Sequence, residues 1–185
     1  QLPFTYLDEI LIEIFANRID QVKPKLVCIS VPFPGNLYTS LRCGQWIKKN
    51  RPHIKVAMGG GFANTELRSL SDVRVFEFYD FITLDDGEAP LEILIEHIDG
   101  KKQLNELKRC FTLVNDTVTY INNTSCTDYK QGQVGTPDYE GLLLDHYISV
   151  IEIANPMHSL WSDGRWNKLT MAHGCYWAKC TFCDI

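Results

Sequence analysis

The chain of 185 residues is 45% hydrophobic and 22% charged, proportions that suit a folded protein with room for one sizeable domain and part of another. Its formal net charge of −5 argues against a general nucleic-acid surface, which would need an excess of lysine and arginine. No apolar stretch approaches the ~18–20 residues that span a bilayer, so neither nucleic acid nor membrane is an expected partner.

Leu7, Ile10, Leu11, Ile14, Phe15 and Ile19 recur at three- and four-residue intervals, which predicts an amphipathic helix that ends at Lys23 and Pro24. Residues 26–31 form a short continuous apolar run of the kind found in buried parallel strands. A loop rich in proline and glycine (Pro32, Pro34, Gly35) leads to a helix predicted over about residues 37–49, with Leu41, Trp46 and Ile47 facing inward. Residues 54–58 predict the next strand, closed by Gly59, Gly60 and Gly61. A short helix is expected over 64–70 with Asn64 as its N-cap, and a third strand over 80–83. Residues 85–88 then turn into a helix over 89–98, with Pro90 tolerated in its first turn.

Strands alternating with helices through short loops predict an α/β fold, doubly wound in the Rossmann or flavodoxin manner, with a mostly parallel sheet. After Gly100 the texture changes. Residues 110–114 and 117–121 flank Asn115 and Asp116 as a hairpin would. The stretch 122–141 is polar and turn-rich, 142–153 is apolar but broken, and 166–171 reads as a strand. The expected organisation is therefore an α/β domain over 1–121, a linker over 122–165, and the start of a second domain over 166–185.

In open parallel sheets, ligands bind at the carboxyl ends of the strands. That rule selects Ser30 with the loop 32–36, then Gly59, Gly60 and Gly61, then the turn 85–88 with Glu88. Missing side chains at the glycines would let a ligand lie on the backbone, although a tight strand–helix turn needs the same residues. Glu88 reads equally as a solvated carboxylate at a helix start. His53, His97, His146 and His158 are scattered singly and read as surface or capping residues, and Trp161, Trp166, Tyr176 and Trp177 could stack on an adenine, although aromatics near a domain junction are usually core. The glycine run lacks the Gly-Lys-Ser/Thr of a phosphate-binding P-loop.

Seven cysteines is an odd number, and no signal-peptide pattern is present, so reduced thiols and a cytoplasmic protein are expected rather than a disulfide framework. Cys28, Cys43, Cys110 and Cys126 are scattered, whereas Cys175, Cys180 and Cys183 share one short run. Three thiolates on one loop can hold three corners of an iron–sulfur cube and leave the fourth iron open to a small molecule. The same residues with His173 also admit a closed Cys₃His zinc site, or no metal at all.

The run Cys175-Tyr176-Trp177-Ala178-Lys179-Cys180-Thr181-Phe182-Cys183 resembles the signature of the radical S-adenosylmethionine (SAM) enzymes. The aromatic Phe182 before the last cysteine and the Cys180–Cys183 spacing both fit that family. Four residues between Cys175 and Cys180, where the commonest spacing has three, depart from it. The resemblance implies a 4Fe–4S cluster held by Cys175, Cys180 and Cys183, with SAM on the open iron and Tyr176, Trp177 and Phe182 shielding that side. It also implies an electron donor such as flavodoxin or ferredoxin, and an unknown substrate.

Over residues 1–100, a strand ending in Ile29-Ser30, a strand ending in three glycines, and an Asp-Gly-Glu turn opening a helix resemble the cobalamin-binding domain that precedes the radical SAM barrel in one branch of the family. By that resemblance Ser30, Gly59, Gly60, Gly61 and Glu88 would face cobalamin, and methyl transfer is the leading reaction. The Asp-x-His-x-x-Gly motif that ligates cobalt in many such domains does not occur in the sequence. Only the first strand and cluster loop of the barrel are expected within the 185 residues, so the chain alone is not expected to be catalytic.

Overall fold

Thr5 opens the first helix because its side chain can satisfy a backbone donor that the helix itself leaves unpaired. In the computed structural model, which describes residues 3–142 together with Trp177 and Lys179, helix α1 spans Tyr6–Val22. The Thr5 hydroxyl accepts from the Asp8 N–H, and the Asp8 carboxylate accepts from the Thr5 N–H at 2.8 Å. Lys23 ends the helix in the left-handed conformation (φ 50°), just before Pro24.

The buried face of α1 keeps only part of the stripe the periodicity suggests: Ile19 enters the core and Leu11 and Phe15 are half-buried. Asp8, Ile12 and Ile19 are buried, while Leu7, Ile10 and Ile14 are 75%, 39% and 66% exposed. The reason lies in α2 (Leu37–Asn50). Arg42 on that helix is itself buried, and its Nη2 lies 3.5 Å from the Asp8 carboxylate. The Tyr38 hydroxyl donates to the same carboxylate at 2.9 Å. This polar group, together with Phe15 packed edge-on against Trp46, turns the helix so that Ile12 faces inward.

A single five-stranded sheet runs in the order β1-β2-β3-β4-β5, with β1 at Leu26–Ser30, β2 at Lys55–Gly59, β3 at Phe81–Thr83, β4 at Cys110–Val114 and β5 at Thr117–Ile121. The first three strands are parallel, with Ser30 beside Gly59 and Met58 beside Ile82. Helix α3 (Gly61–Glu66) and a 3₁₀ turn (Val73–Glu77) connect β2 to β3, and α4 (Glu88–Ile98) follows β3. Alternation along the strands divides the interior into two cores. Val56, Met58 and Ile82 pack with Ile19 of α1, Ile47 of α2 and Ala63 of α3. Ala57 and Phe81 point the other way, against Ile93 and Leu94 of α4. Helices thus cover both faces, as the α/β reading requires.

The structure departs from that reading at the far edge. The hairpin that closes the 1–121 unit joins the sheet itself, and half of the pairings are antiparallel: β4 pairs with β3, Thr83 beside Cys110, and β5 extends the sheet. Cys110 enters one core and Phe111 the other, so β4 needs partners on both sides and cannot remain an isolated ribbon. The sheet is therefore parallel in its first three strands and antiparallel in its last two. Strand order never reverses among the described residues, so they contain no topological switch point of the doubly wound type. Residues 122–129 return to this unit, where the Asn123 N–H donates to the Leu107 carbonyl.

The chain divides into two compact units, residues 1–129 and 130–185. In the second, the described residues 130–142 are exposed and carry one 3₁₀ turn, Gln131–Gln133. No helix among the described residues is long and apolar enough to cross a membrane.

The hydrogen bonds from Thr5, then those of Tyr38 and the Arg42 charge, hold the Asp8 carboxyl below the usual carboxylate range. A lowered native value stabilises the fold above the ordinary carboxylate range, and this contribution is lost as pH falls through the native value. Asp8→Asn is expected to lower Tm at pH 7 by about 5–10 °C and to flatten the acid side of the stability curve. Parallel pH–stability curves for the two proteins, measured by denaturant titration, would show that Asp8 does not carry this role.

Candidate functional site: the carboxyl edge of the parallel strands

The three parallel strands end together, and the sequence-selected residues of residues 1–100 lie at that edge. Ser30 closes β1 and is exposed, Gly59 closes β2, and Glu88 begins α4 and is exposed. The glycines show why no other residue serves there. The Val31 N–H donates to the Gly59 carbonyl at 2.8 Å, and the Phe62 N–H donates to the Val31 carbonyl at 2.9 Å. Gly60 sits at φ +99°, and a Cβ there would lie 2.9 Å from both Val31 N and Val31 O. A Cβ at Gly61 would lie 2.7 Å from the Pro32 carbonyl oxygen. The space freed at Gly60 and Gly61 is thus taken by the chain's own backbone, which zips the loop after β1 to the turn after β2. This turn starts α3 at Gly61, three residues ahead of the expected N-cap.

Asn64 therefore sits inside α3 rather than capping it, and its Oδ1 accepts from the Asp85 N–H at 2.7 Å. Asp85 has φ +62°, a left-handed conformation that aspartate tolerates better than most residues. Its carboxylate pairs with Arg68 and lies 3.7 Å from Arg109 Nε. Arg109 donates to Asp128 at 2.8 Å and to the Asp86 carbonyl at 3.0 Å. The Arg109 contact holds the Asp128 carboxyl below its usual range. The edge consequently has two characters. Near β1 and β2 it offers a hydroxyl, backbone and the exposed Phe33, and near β3 it carries a self-paired charge network.

Asn64, Arg68, Arg109 and Asp128 were not singled out for this edge by sequence. Arg68 lies 17 positions from Asp85, and Arg109 lies 19 from Asp128, separations at which no periodic pattern links charges. The one legible signal was the Asp85-Asp86-Gly87 turn itself.

Cys175, Cys180 and Cys183, with Tyr176 and Phe182, lie outside the described residues. Of that run only Trp177 and Lys179 are described, with Lys179 Nζ 5.8 Å from the Trp177 ring centre. Among the described residues no cluster of histidine, cysteine, aspartate and glutamate could hold a metal ion. Burial pushes the Cys43 thiol up to about 11 and the Cys110 thiol to about 12, so neither is a thiolate at neutral pH. His53 precedes β2, and His97 ends α4 with its Nδ1 3.0 Å from the Lys102 carbonyl. Both positions belong to the amino edge of the sheet, so neither described histidine reaches the candidate site.

These features define a mixed α/β protein with helices on both faces of its sheet and a loop-lined edge at the carboxyl ends of its three parallel strands. No protein-family model matches the chain, and no curated protein does. Among solved structures, the chain is similar to the apo, selenomethionine-labelled form of OxsB, a cobalamin-dependent S-adenosylmethionine radical enzyme. Identity is 20% and the TM-score 0.47, covering 60% of this chain. The matched region spans 15% of that enzyme's chain. A likeness at this level transfers no role from OxsB to the present residues.

Gly60→Ala is expected to destabilise the protein by about 1–3 kcal/mol from backbone strain alone, with the clash against Val31 added. Gly35, which has open space around the position of a Cβ and no positive φ, should accept alanine with little change. Equal denaturation midpoints for the two variants would remove the close-approach explanation.

Proposed function

We propose that the chain belongs to a radical SAM protein whose α/β unit presents a cofactor-binding edge. The observation that carries this reading is the run Cys175-x₄-Cys180-x₂-Cys183, with Phe182 before its last cysteine. Three cysteines so close can hold a 4Fe–4S cluster by three of its irons. Once bound, such a cluster supplies the electron that splits the sulfonium of SAM and starts radical chemistry on an unactivated carbon. The chain's own part is to hold and shield: the three thiolates as ligands, Tyr176, Trp177 and Phe182 against solvent. A flavodoxin or ferredoxin is the proposed electron donor.

Cobalamin is the proposed second cofactor, and methyl transfer the proposed reaction. The exposed Ser30 hydroxyl, the loop 32–36 and Gly61 suit an amide-rich ring laid across the ends of β1 and β2, with Glu88 at the end of β3. Gly60 contributes indirectly, by letting the two loops meet, and Gly59 by leaving room for the Thr83 side chain of β3. Because neither described histidine lies at this edge, the described residues offer cobalt no imidazole, in keeping with the missing Asp-x-His-x-x-Gly motif.

The deciding experiment is reconstitution of the protein without oxygen, followed by iron, sulfide and zinc analysis and by electron paramagnetic resonance of the reduced sample. About four irons and four sulfides per chain are expected, with a signal that changes when SAM is added. Cys180→Ala should abolish that signal. Stoichiometric zinc without sulfide would replace this reading with a structural Cys₃His site, in which His173 completes the ligand set.

A further inference from the structure

We propose that Asp85 is a positioning residue: it locks the glycine turn after β2 and the loop 85–88 after β3 into one arrangement. The inference deepens the reading of this edge as a cofactor site and rests on it for its functional meaning. Three connections from different parts of the chain meet at this residue. Its N–H is held by Asn64 in α3, the helix that begins within the glycine run. One carboxylate oxygen pairs with Arg68, two positions beyond α3. The other lies 3.7 Å from Nε of Arg109, the residue before β4.

The backbone supports the same conclusion. Asp85 and Arg109 both adopt positive φ, at 62° and 43°, and they flank one hydrogen bond, from the Leu84 N–H to the Arg109 carbonyl at 2.9 Å. Non-glycine residues persist in that region when their surroundings over-determine them. Arg109, with its side chain 13% exposed, is fixed in turn by Asp128 and by the Leu84 and Asp86 carbonyls. Exposed ion pairs contribute little to global stability, so a network of them at a ligand edge acts mainly by restricting geometry. Removing the Asp85 charge frees Arg68 while Arg109 keeps Asp128, so the consequence stays local to the two loops.

Asp85→Asn tests this, because asparagine tolerates positive φ and keeps the N–H that Asn64 binds. In the full chain, Tm should move by no more than about 2 °C, while amide hydrogen exchange in residues 60–66 and 85–88 speeds up about tenfold. Arg68→Gln breaks the same link from the other side and should loosen the same two loops. Asp72→Asn, which breaks an exposed pair with Arg74 outside the network, should leave both loops unchanged. Unaltered exchange at either loop, or a uniform rise across residues 1–129, overturns the proposal. Titration with hydroxocobalamin, followed by absorbance, separates it from the cofactor reading. If the unaltered protein binds, Asp85→Asn should weaken binding at least fivefold, and equal affinity with loosened loops overturns the positioning role. If the unaltered protein does not bind, the cobalamin reading fails, and the exchange result alone decides whether Asp85 is the lock.

Discussion

The close approach of two backbones at Gly60 and Gly61 is the constraint on which the rest of this edge depends. Val31 gives its N–H to Gly59 and accepts from Phe62, so the chain leaving β1 continues to pair after the parallel ladder has ended. A side chain at either glycine would clash with the Val31 or Pro32 backbone. Because the turn is this tight, α3 starts at Gly61 and carries Asn64 and Arg68 toward the end of β3. The charge network around Asp85 follows from that placement.

Packing on either side of the sheet explains why the edge is accessible. One core holds α1, α2 and α3 against β2 and β3, and the other holds α4 against the opposite face. Both cores lie beneath the strand ends, which leaves Ser30, Phe33, Gly61 and Glu88 at the surface. The buried Asp8–Arg42 pair ties α1 to α2, and the Ser40–Tyr79 hydrogen bond of 2.7 Å ties α2 to the segment that leads into β3. Buried polar groups satisfied in this way restrict the packing to one arrangement, since an alternative would leave a charge or hydroxyl without a partner.

Much of the fold was legible because its elements follow local rules. The apolar runs of β1 and β2, the Pro90 near the start of α4, and the Asn115-Asp116 hairpin turn all act within a few residues. The misreadings were of another kind. Leu7, Ile10 and Ile14 keep helical period yet face solvent, because a buried Asp8–Arg42 contact rotates α1. Asn64 has the chemistry of an N-cap, but the glycine turn starts the helix before it and leaves its side chain for Asp85.

The sequence alone determined most of the segments that become strands and helices within residues 6–121, that a glycine run closes β2, and that three cysteines share one short run. Those properties depend on residue type and spacing over a turn or two. Only the tertiary structure decided that the hairpin joins the sheet, that the glycines admit backbone at Gly60 and Gly61, and that Arg68, Asp85, Arg109 and Asp128 form one network. Each of these joins residues many positions apart, and charge or shape complementarity at such distance exists only once the sheet has brought the loops together.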